Sequence, residues 1–263
     1  MNCVGTDLSP LCALLTRVKV RSVEVVDEIR ACVKILLERP DLDPDRRDQV
    51  KAKDERVAEF FEIARMVTYS DVARRGRRAL VAYRKNLGGM LESVEAHAAA
   101  IEEFRLKPGW VRAQVGDARD LSTTGVEPGT VSCIVTSPPY SIALDYVKND
   151  KHALEALGVD MEGLSDVMTG VRGRGARQRL DLYNQDMQMV FGEVAKALRP
   201  GGGAAFVIGD ATVDRLEWTT TETMSQWAAA AGLRRERNIS KIVFGLYNVM
   251  LDEKILVFRK PGL

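Results

Sequence analysis

The sequence predicts an α/β protein, and three observations predict it. Met1–Asp7 and Trp110–Val115 read as short strands followed at once by an acidic turn, at Asp7 and at Asp117. Val131–Thr136 is an uncharged, largely β-branched run that stops at two prolines. After Leu198 the chain alternates a buried strand, a helix and two further strands that read as a closing hairpin.

The run Val131-Ser-Cys-Ile-Val-Thr136 suits a buried parallel strand, and Ser137-Pro138-Pro139-Tyr140 follows it without a gap. Proline removes a ladder donor and forces the residue before it out of helical geometry, so this stretch is a rigid loop at the strand's carboxyl end. In open α/β sheets that is the edge where ligands bind. Ser137 Oγ and the Pro138 carbonyl are two acceptors held without reorganisation, suited to the two N–H groups of an exocyclic base amine, and the Tyr140 ring offers a stacking face for an unstacked base. The same residues also read as a plain turn that caps the strand, with Tyr140 at the surface.

At the amino end, Ser9-Pro10 supplies a cap and a first-turn proline for a helix carrying Leu11, Leu14, Leu15 and Val18. An acidic residue at such a strand tip either accepts ribose hydroxyls or caps the turn, and Asp7 stands in that place. From Ser22 to Leu106 the pattern is helical. Ser22 is expected to cap a helix with Val25, Ile29, Val33 and Leu36 on one face, and Asp43-Pro44 to start a second carrying Val50, Val57, Phe60 and Phe61. Two further helical pieces are expected to meet near Gly88-Gly89. So long a helical run between strands reads as an inserted subdomain.

Arg74, Arg75, Arg77 and Arg78 form a basic cluster within it, either a solvated helix face or a contact for nucleic-acid phosphates. Ser141–Leu180 reads as polar and irregular, long enough for a flap. Its Arg172, Arg174 and Arg177 alternate with small residues and admit the same two readings, and Asp145 is a candidate for orienting a substrate amine, on residue type alone. Beyond it come a helix from Asp181, a strand at Ala204–Ile208 preceded by Gly201-Gly202-Gly203, a helix near Thr221–Ala231, and strands at Arg237–Phe244 and Lys254–Arg259.

A chain of 263 residues buries a full core as one large domain or one domain with an insertion. A net charge of +1 means that any phosphate binding comes from local patches. The four cysteines lie apart with no C-x-x-C pair, and the histidines are two, so neither a zinc site nor a disulfide framework is expected. No cysteine follows a proline, as a cytosine carbon-5 nucleophile would. The absence of a long apolar run or an export signal makes the cytoplasm the expected location.

On Ser137-Pro138-Pro139-Tyr140 the sequence resembles the amino-group DNA methyltransferases, S-adenosyl-L-methionine (AdoMet) enzymes that methylate cytosine N4 or adenine N6. Their hallmark is Ser, Asp or Asn followed by Pro-Pro and an aromatic residue. Val4–Leu11 is similar to the family's second AdoMet segment, and Gly116-Asp117-Ala118 to a later one. The resemblance implies a Rossmann-like methyltransferase sheet built from 1–21 and 107–263, with a helical insertion at 22–106, a flap or recognition insert at 141–180 and a C-terminal antiparallel hairpin. It implies catalytic roles for Ser137, Pro138, Pro139 and Tyr140. It places the AdoMet ribose on Asp7 beside Leu8, the adenine on Asp117 beside Ala118, and Thr136 in the cofactor site.

Serine at the hallmark position is commoner among cytosine-N4 enzymes, so cytosine N4 in DNA is the expected target, with adenine N6 or an RNA base as the alternatives. The family's first segment, Asp-Pro-Phe and a glycine-rich turn, is expected just before Met1 and does not recur later, so that on this resemblance the chain is expected to lack the first strand and helix of the fold. A start codon placed too late, a split enzyme whose second chain supplies the segment, and a non-catalytic remnant each account for that. The expected partners are DNA and, in the split case, that second chain, without a metal or a membrane.

Overall fold

The structure, a computed structural model, describes residues 1–140, 144–209, 211–213, 216–218, 220–242 and 252–262, with the backbone course alone at 211–213, 216–218, 241–242 and 252. Along the chain lie β1 (Cys3–Asp7), α1 (Pro10–Arg21), α2 (Val26–Glu38), α3 (Glu55–Arg75), α4 (Ala79–Glu103), β2 (Val111–Val115) and β3 (Val131–Thr136). The short helices α5 (Tyr146–Asn149), α6 (Lys151–Ala156) and α7 (Met161–Val167) precede α8 (Gly175–Ala197) and β4 (Leu198–Gly209). A small hairpin of β5 (Ala211–Val213) and β6 (Leu216–Trp218), then α9 (Thr220–Ala230), β7 (Arg234–Ile242) and β8 (Asp252–Arg259) complete the order. The chain is an α/β protein of two compact units, Met1–Val115 with Asp150–Met161, and Gly116–Asn149 with Glu162–Leu263.

The first unit is mainly helical. β1 and β2 pair in parallel, Cys3 opposite Val111 and Asp7 opposite Val115. Ile29, Val33 and Leu36 of α2, Phe60 and Phe61 of α3, and Tyr83 and Leu87 of α4 form one buried cluster. Several local expectations change here. Ser22 caps nothing: α1 passes into α2 through a single 3₁₀ turn, Ser22–Val25, in which Ser22 is buried. The apolar stripe continues across that turn into one core, and no loop is left to cap.

Helix α3 starts at Glu55, not after Asp43. The carboxylate of Asp54 accepts the Arg56 N–H at 2.8 Å, whereas Asp43 accepts from Asp45 within a turn, and Val50 precedes the helix. The break expected at Gly88-Gly89 falls instead at Gly76, which takes φ 60° and donates its N–H to the Val72 carbonyl. Helix α4 runs unbroken over both glycines. An interior glycine costs about 1 kcal/mol relative to alanine, while burying a leucine such as Leu87 returns roughly 1.5–3 kcal/mol, so packing carries the helix through.

The second unit holds a four-stranded sheet in the order β3-β4-β8-β7, with β3 and β4 parallel and the other pairs antiparallel. One face is covered by α8 and α9. Phe191 of α8 stacks on Phe206 of β4 at a centroid distance of 4.6 Å and meets Phe258 of β8 edge-on at 5.7 Å. Strand β4 begins at Leu198, earlier than expected, because the triple glycine lies inside it. The register with β3 shifts there, Gly201 takes φ 74°, and a Cβ on Gly202 would lie 2.9 Å from the Arg199 carbonyl oxygen.

The segment expected to be irregular is largely helical where it is described, with Val147, Leu154 and Leu164 each burying one short helix; residues 141–143 lie outside the described residues. Helix α8 starts at Gly175 rather than Asp181. Strand β7 begins at Arg234, and the expected strand end at 243–244 is outside the described residues.

Candidate active site

The corner after β3 is built as its residues dictate. Thr136 is the last paired residue, opposite Phe206, and the prolines that follow have no N–H with which to extend the ladder. The Ser137 hydroxyl donates to the Val207 carbonyl of β4 at 3.3 Å, so its proton is engaged while its lone pairs remain available. The carbonyl of Pro139 accepts the Tyr183 hydroxyl of α8 at 2.9 Å, and the Tyr140 hydroxyl donates to Glu253 Oε1 of β8 at 3.0 Å. Two strands and one helix thus hold the corner. Pro138 is buried, and its carbonyl has no donor among the described residues. Ser137 Oγ and the Pro138 oxygen are therefore acceptors on a fixed frame, and neither is a base of any strength. Burial pushes the nearby Tyr146 phenol up, with a backbone hydrogen bond from Tyr140 working the other way, so Tyr146 stays protonated at neutral pH.

Asp117, in the same unit, has a partner the sequence did not suggest. Arg119 folds back on it: the backbone N–H donates to Oδ1 at 2.8 Å, Nε to both oxygens at 2.9 Å, and Nη2 to Oδ2 at 2.6 Å. The other arm of the guanidinium reaches Asp186 Oδ1 at 3.0 Å. Asp186 is 0% exposed on α8 and also accepts from Thr169 at 3.0 Å and from Arg172 Nη2 at 2.5 Å. Partial burial pulls the Asp117 carboxyl up, but the Arg119 hydrogen bonds together outweigh it and hold the group below the ordinary carboxylate value.

At the β1 tip, Asp7 accepts the Ser9 N–H at 2.8 Å through Oδ1, and its second oxygen accepts from none of the described residues. Ser9 itself makes no side-chain cap to α1. Although the residue as a whole is exposed, desolvation pushes the Asp7 carboxyl up, the Ser9 N–H opposes this, and the charge of Asp150 adds to the rise. Leu8 is half-buried beside it, and Ala118 is exposed beside Asp117.

The expected basic residues divide. Arg75 and Arg77 each lie 3.0 Å from Asp71, Arg74 is 3.6 Å from Asp150, and Arg78 is exposed ahead of α4. Arg172 is turned to Asp186, because a fully buried carboxylate must be paired. Arg174 and Arg177 are exposed and have no carboxylate partner among the described residues. Asp145 accepts the Lys148 N–H at 3.0 Å, which makes it a cap of α5.

No family model matches the chain, and neither does any curated protein. Solved structures do. One is a candidate DNA modification methylase from Thermus thermophilus complexed with S-adenosyl-L-methionine, 22% identical, with a TM-score of 0.38 over 57% of this chain and 53% of that one. Another is a SAM-dependent methyltransferase from Methanosarcina mazei, 9% identical, with a TM-score of 0.39 over 65% of this chain and 77% of that one. The chain spans about half the length of the Thermus protein. Chemistry does not follow from likeness at this level.

The two acidic turns, one in each unit, differ in what each offers a nucleoside. Asp7, with one oxygen unspent, suits a ribose diol. Asp117 is already chelated by Arg119, and the Ala118 N–H, which donates to none of the described residues, is what that turn leaves open to a ring nitrogen. Arg119, Asp186, Tyr183 and Glu253 were not singled out from sequence. For Asp186 a signal existed: it shares the helical face of Tyr183, Met187 and Phe191, and a carboxylate on an apolar stripe needs a buried cation.

Proposed function

We propose that the protein transfers a methyl group from AdoMet to the exocyclic amino group of a DNA base, with cytosine N4 the favoured target. The observation that carries this reading is the Ser137–Tyr140 corner, with two unspent acceptors on a frame fixed through Val207, Tyr183 and Glu253. AdoMet, when bound, supplies an electrophilic methyl group. Ser137 Oγ and the Pro138 carbonyl take the two N–H hydrogens of the base amine and turn its lone pair outward, and Tyr140, its hydroxyl anchored, presents a ring of set orientation to the base. The new N–CH3 bond would replace the sulfonium S–CH3 bond and leave S-adenosylhomocysteine; the amine becomes acidic only as it gains the methyl group, so its proton passes late to water and needs no strong base. Pro139 keeps the backbone rigid, and Thr136 ends the strand that aims it. The reading assigns the cofactor ribose to Asp7 and Leu8, and the adenine to Asp117 and Ala118. Arg174 and Arg177 remain as contacts for DNA phosphates.

Incubating the protein with labelled AdoMet and duplex DNA, digesting, and identifying the labelled nucleoside tests the reading. N4-methyl-2′-deoxycytidine supports it, and label on deoxyadenosine moves the target to N6. A second reading, a nucleic-acid-binding chain without methyl transfer, is favoured by the Arg119 chelation of Asp117. It predicts DNA binding with neither label nor AdoMet binding.

A further inference from the structure

The helical unit contains a cavity of about 400 Å³ among α1, α3, α4 and α6 that the reading above leaves unused. Its walls are of two kinds. Leu11, Leu15, Ile63, Met66 and Val67 give it an apolar floor. Arg74, Arg75, Arg77 and Lys85 supply its cationic lining. Asp71, buried in the wall, bonds Arg75 and Arg77 through Nη1 of each, and Asp150 lies 3.6 Å from Arg74. Among the described residues named here, four cations thus stand beside the two carboxylates Asp71 and Asp150, a local surplus of two positive charges. A guanidinium carries five N–H donors, and Asp71 engages one on each of Arg75 and Arg77, fixing both groups while leaving most of their donors unspent. Lys85 is exposed and has no carboxylate partner among the described residues.

We infer that this cavity is a binding site for a small organic dianion, a phosphomonoester carried on an apolar body. The volume falls in the range of small-molecule sites, the double positive surplus matches a phosphomonoester at neutral pH, and the floor gives the attached hydrocarbon or ring a place out of water. A duplex backbone presents single charges spaced along a strand and calls for a basic stripe rather than a concavity with an apolar floor. The inference does not depend on the role of the Ser137 corner.

Calorimetric titration of the whole chain with 1-naphthyl phosphate, 1-naphthol and inorganic phosphate decides it. Naphthyl phosphate should bind at least about tenfold more tightly than either fragment, since both walls contribute. K85Q and R77Q should each weaken it about fivefold or more with the melting temperature of K85Q unchanged, because Lys85 is exposed. V67W, which fills the floor, should remove the preference for naphthyl phosphate over inorganic phosphate. Equal affinity for naphthol and its phosphate, equal affinity for phosphate and naphthyl phosphate, or no binding at all overturns the site. Displacement of naphthyl phosphate by a short duplex, with a steep salt dependence, reassigns the arginines to a nucleic-acid backbone and overturns it too.

Discussion

Ser137 has its hydroxyl proton committed to the Val207 carbonyl, which turns an ambivalent donor and acceptor into an acceptor alone. For the proposed chemistry that is the wanted polarity, because an amine offers only hydrogens. S137A should therefore slow methyl transfer by about 10²-fold while leaving AdoMet affinity unchanged, as expected for a contact made mainly in the transition state. Single-turnover transfer and a cofactor titration on the same sample separate the two effects, and a loss confined to cofactor binding would contradict the role.

Asp117 gives a pH prediction. Its folded-state pKa lies below the ordinary value of about 3.9, so the folded state favours the carboxylate. The stability it contributes is complete above the unfolded-state pKa and is lost as pH falls through the depressed folded value. The urea midpoint should drop between about pH 5 and pH 3, and D117N should flatten that drop.

Helix α8 links the corner to the ion cluster, since Tyr183 and Asp186 stand one turn apart on it. Tyr183 fixes the Pro139 carbonyl, and Asp186 fixes Arg119 and Arg172. D186N leaves two guanidinium groups short of countercharge in a buried place and should cost about 3–5 kcal/mol, read from the chemical-denaturation midpoint. An unchanged midpoint would mean that water replaces the carboxylate there. The elements also show where local signals are overruled. Gly88-Gly89 is a sound breaker signal and fails because Tyr83 and Leu87 pack on the face that runs past it. Gly76 ends α3 because no packed residue there opposes a left-handed turn. In β4 the three glycines serve the strand rather than precede it, since only a bare Cα fits beside the Arg199 and Val131 carbonyls at Gly202.

At the scale of the molecule the two units have separate cores, one around Phe60 and Phe61 and the other around Phe191, Phe206 and Phe258. Separate cores predict that thermal unfolding departs from a single two-state transition, with a calorimetric enthalpy above the van't Hoff value. F61A and F206A should each cost about 3–5 kcal/mol and should displace different transitions in a calorimetric scan. One common shift for both would show the units unfolding together.

The sequence by itself determined the α/β class, the strand at Val131–Thr136, the rigid corner after it and the acidic turns, because proline geometry, β-branched runs and strand-tip residues act within a few neighbours. Tertiary structure decided which acceptors stay unspent at that corner, that Asp117 and Arg172 are held in an ion cluster, and that cationic and apolar side chains from four helices share a cavity. Those outcomes depend on which residues distant in sequence come within hydrogen-bonding reach, and the spacing of residues along a chain does not encode that.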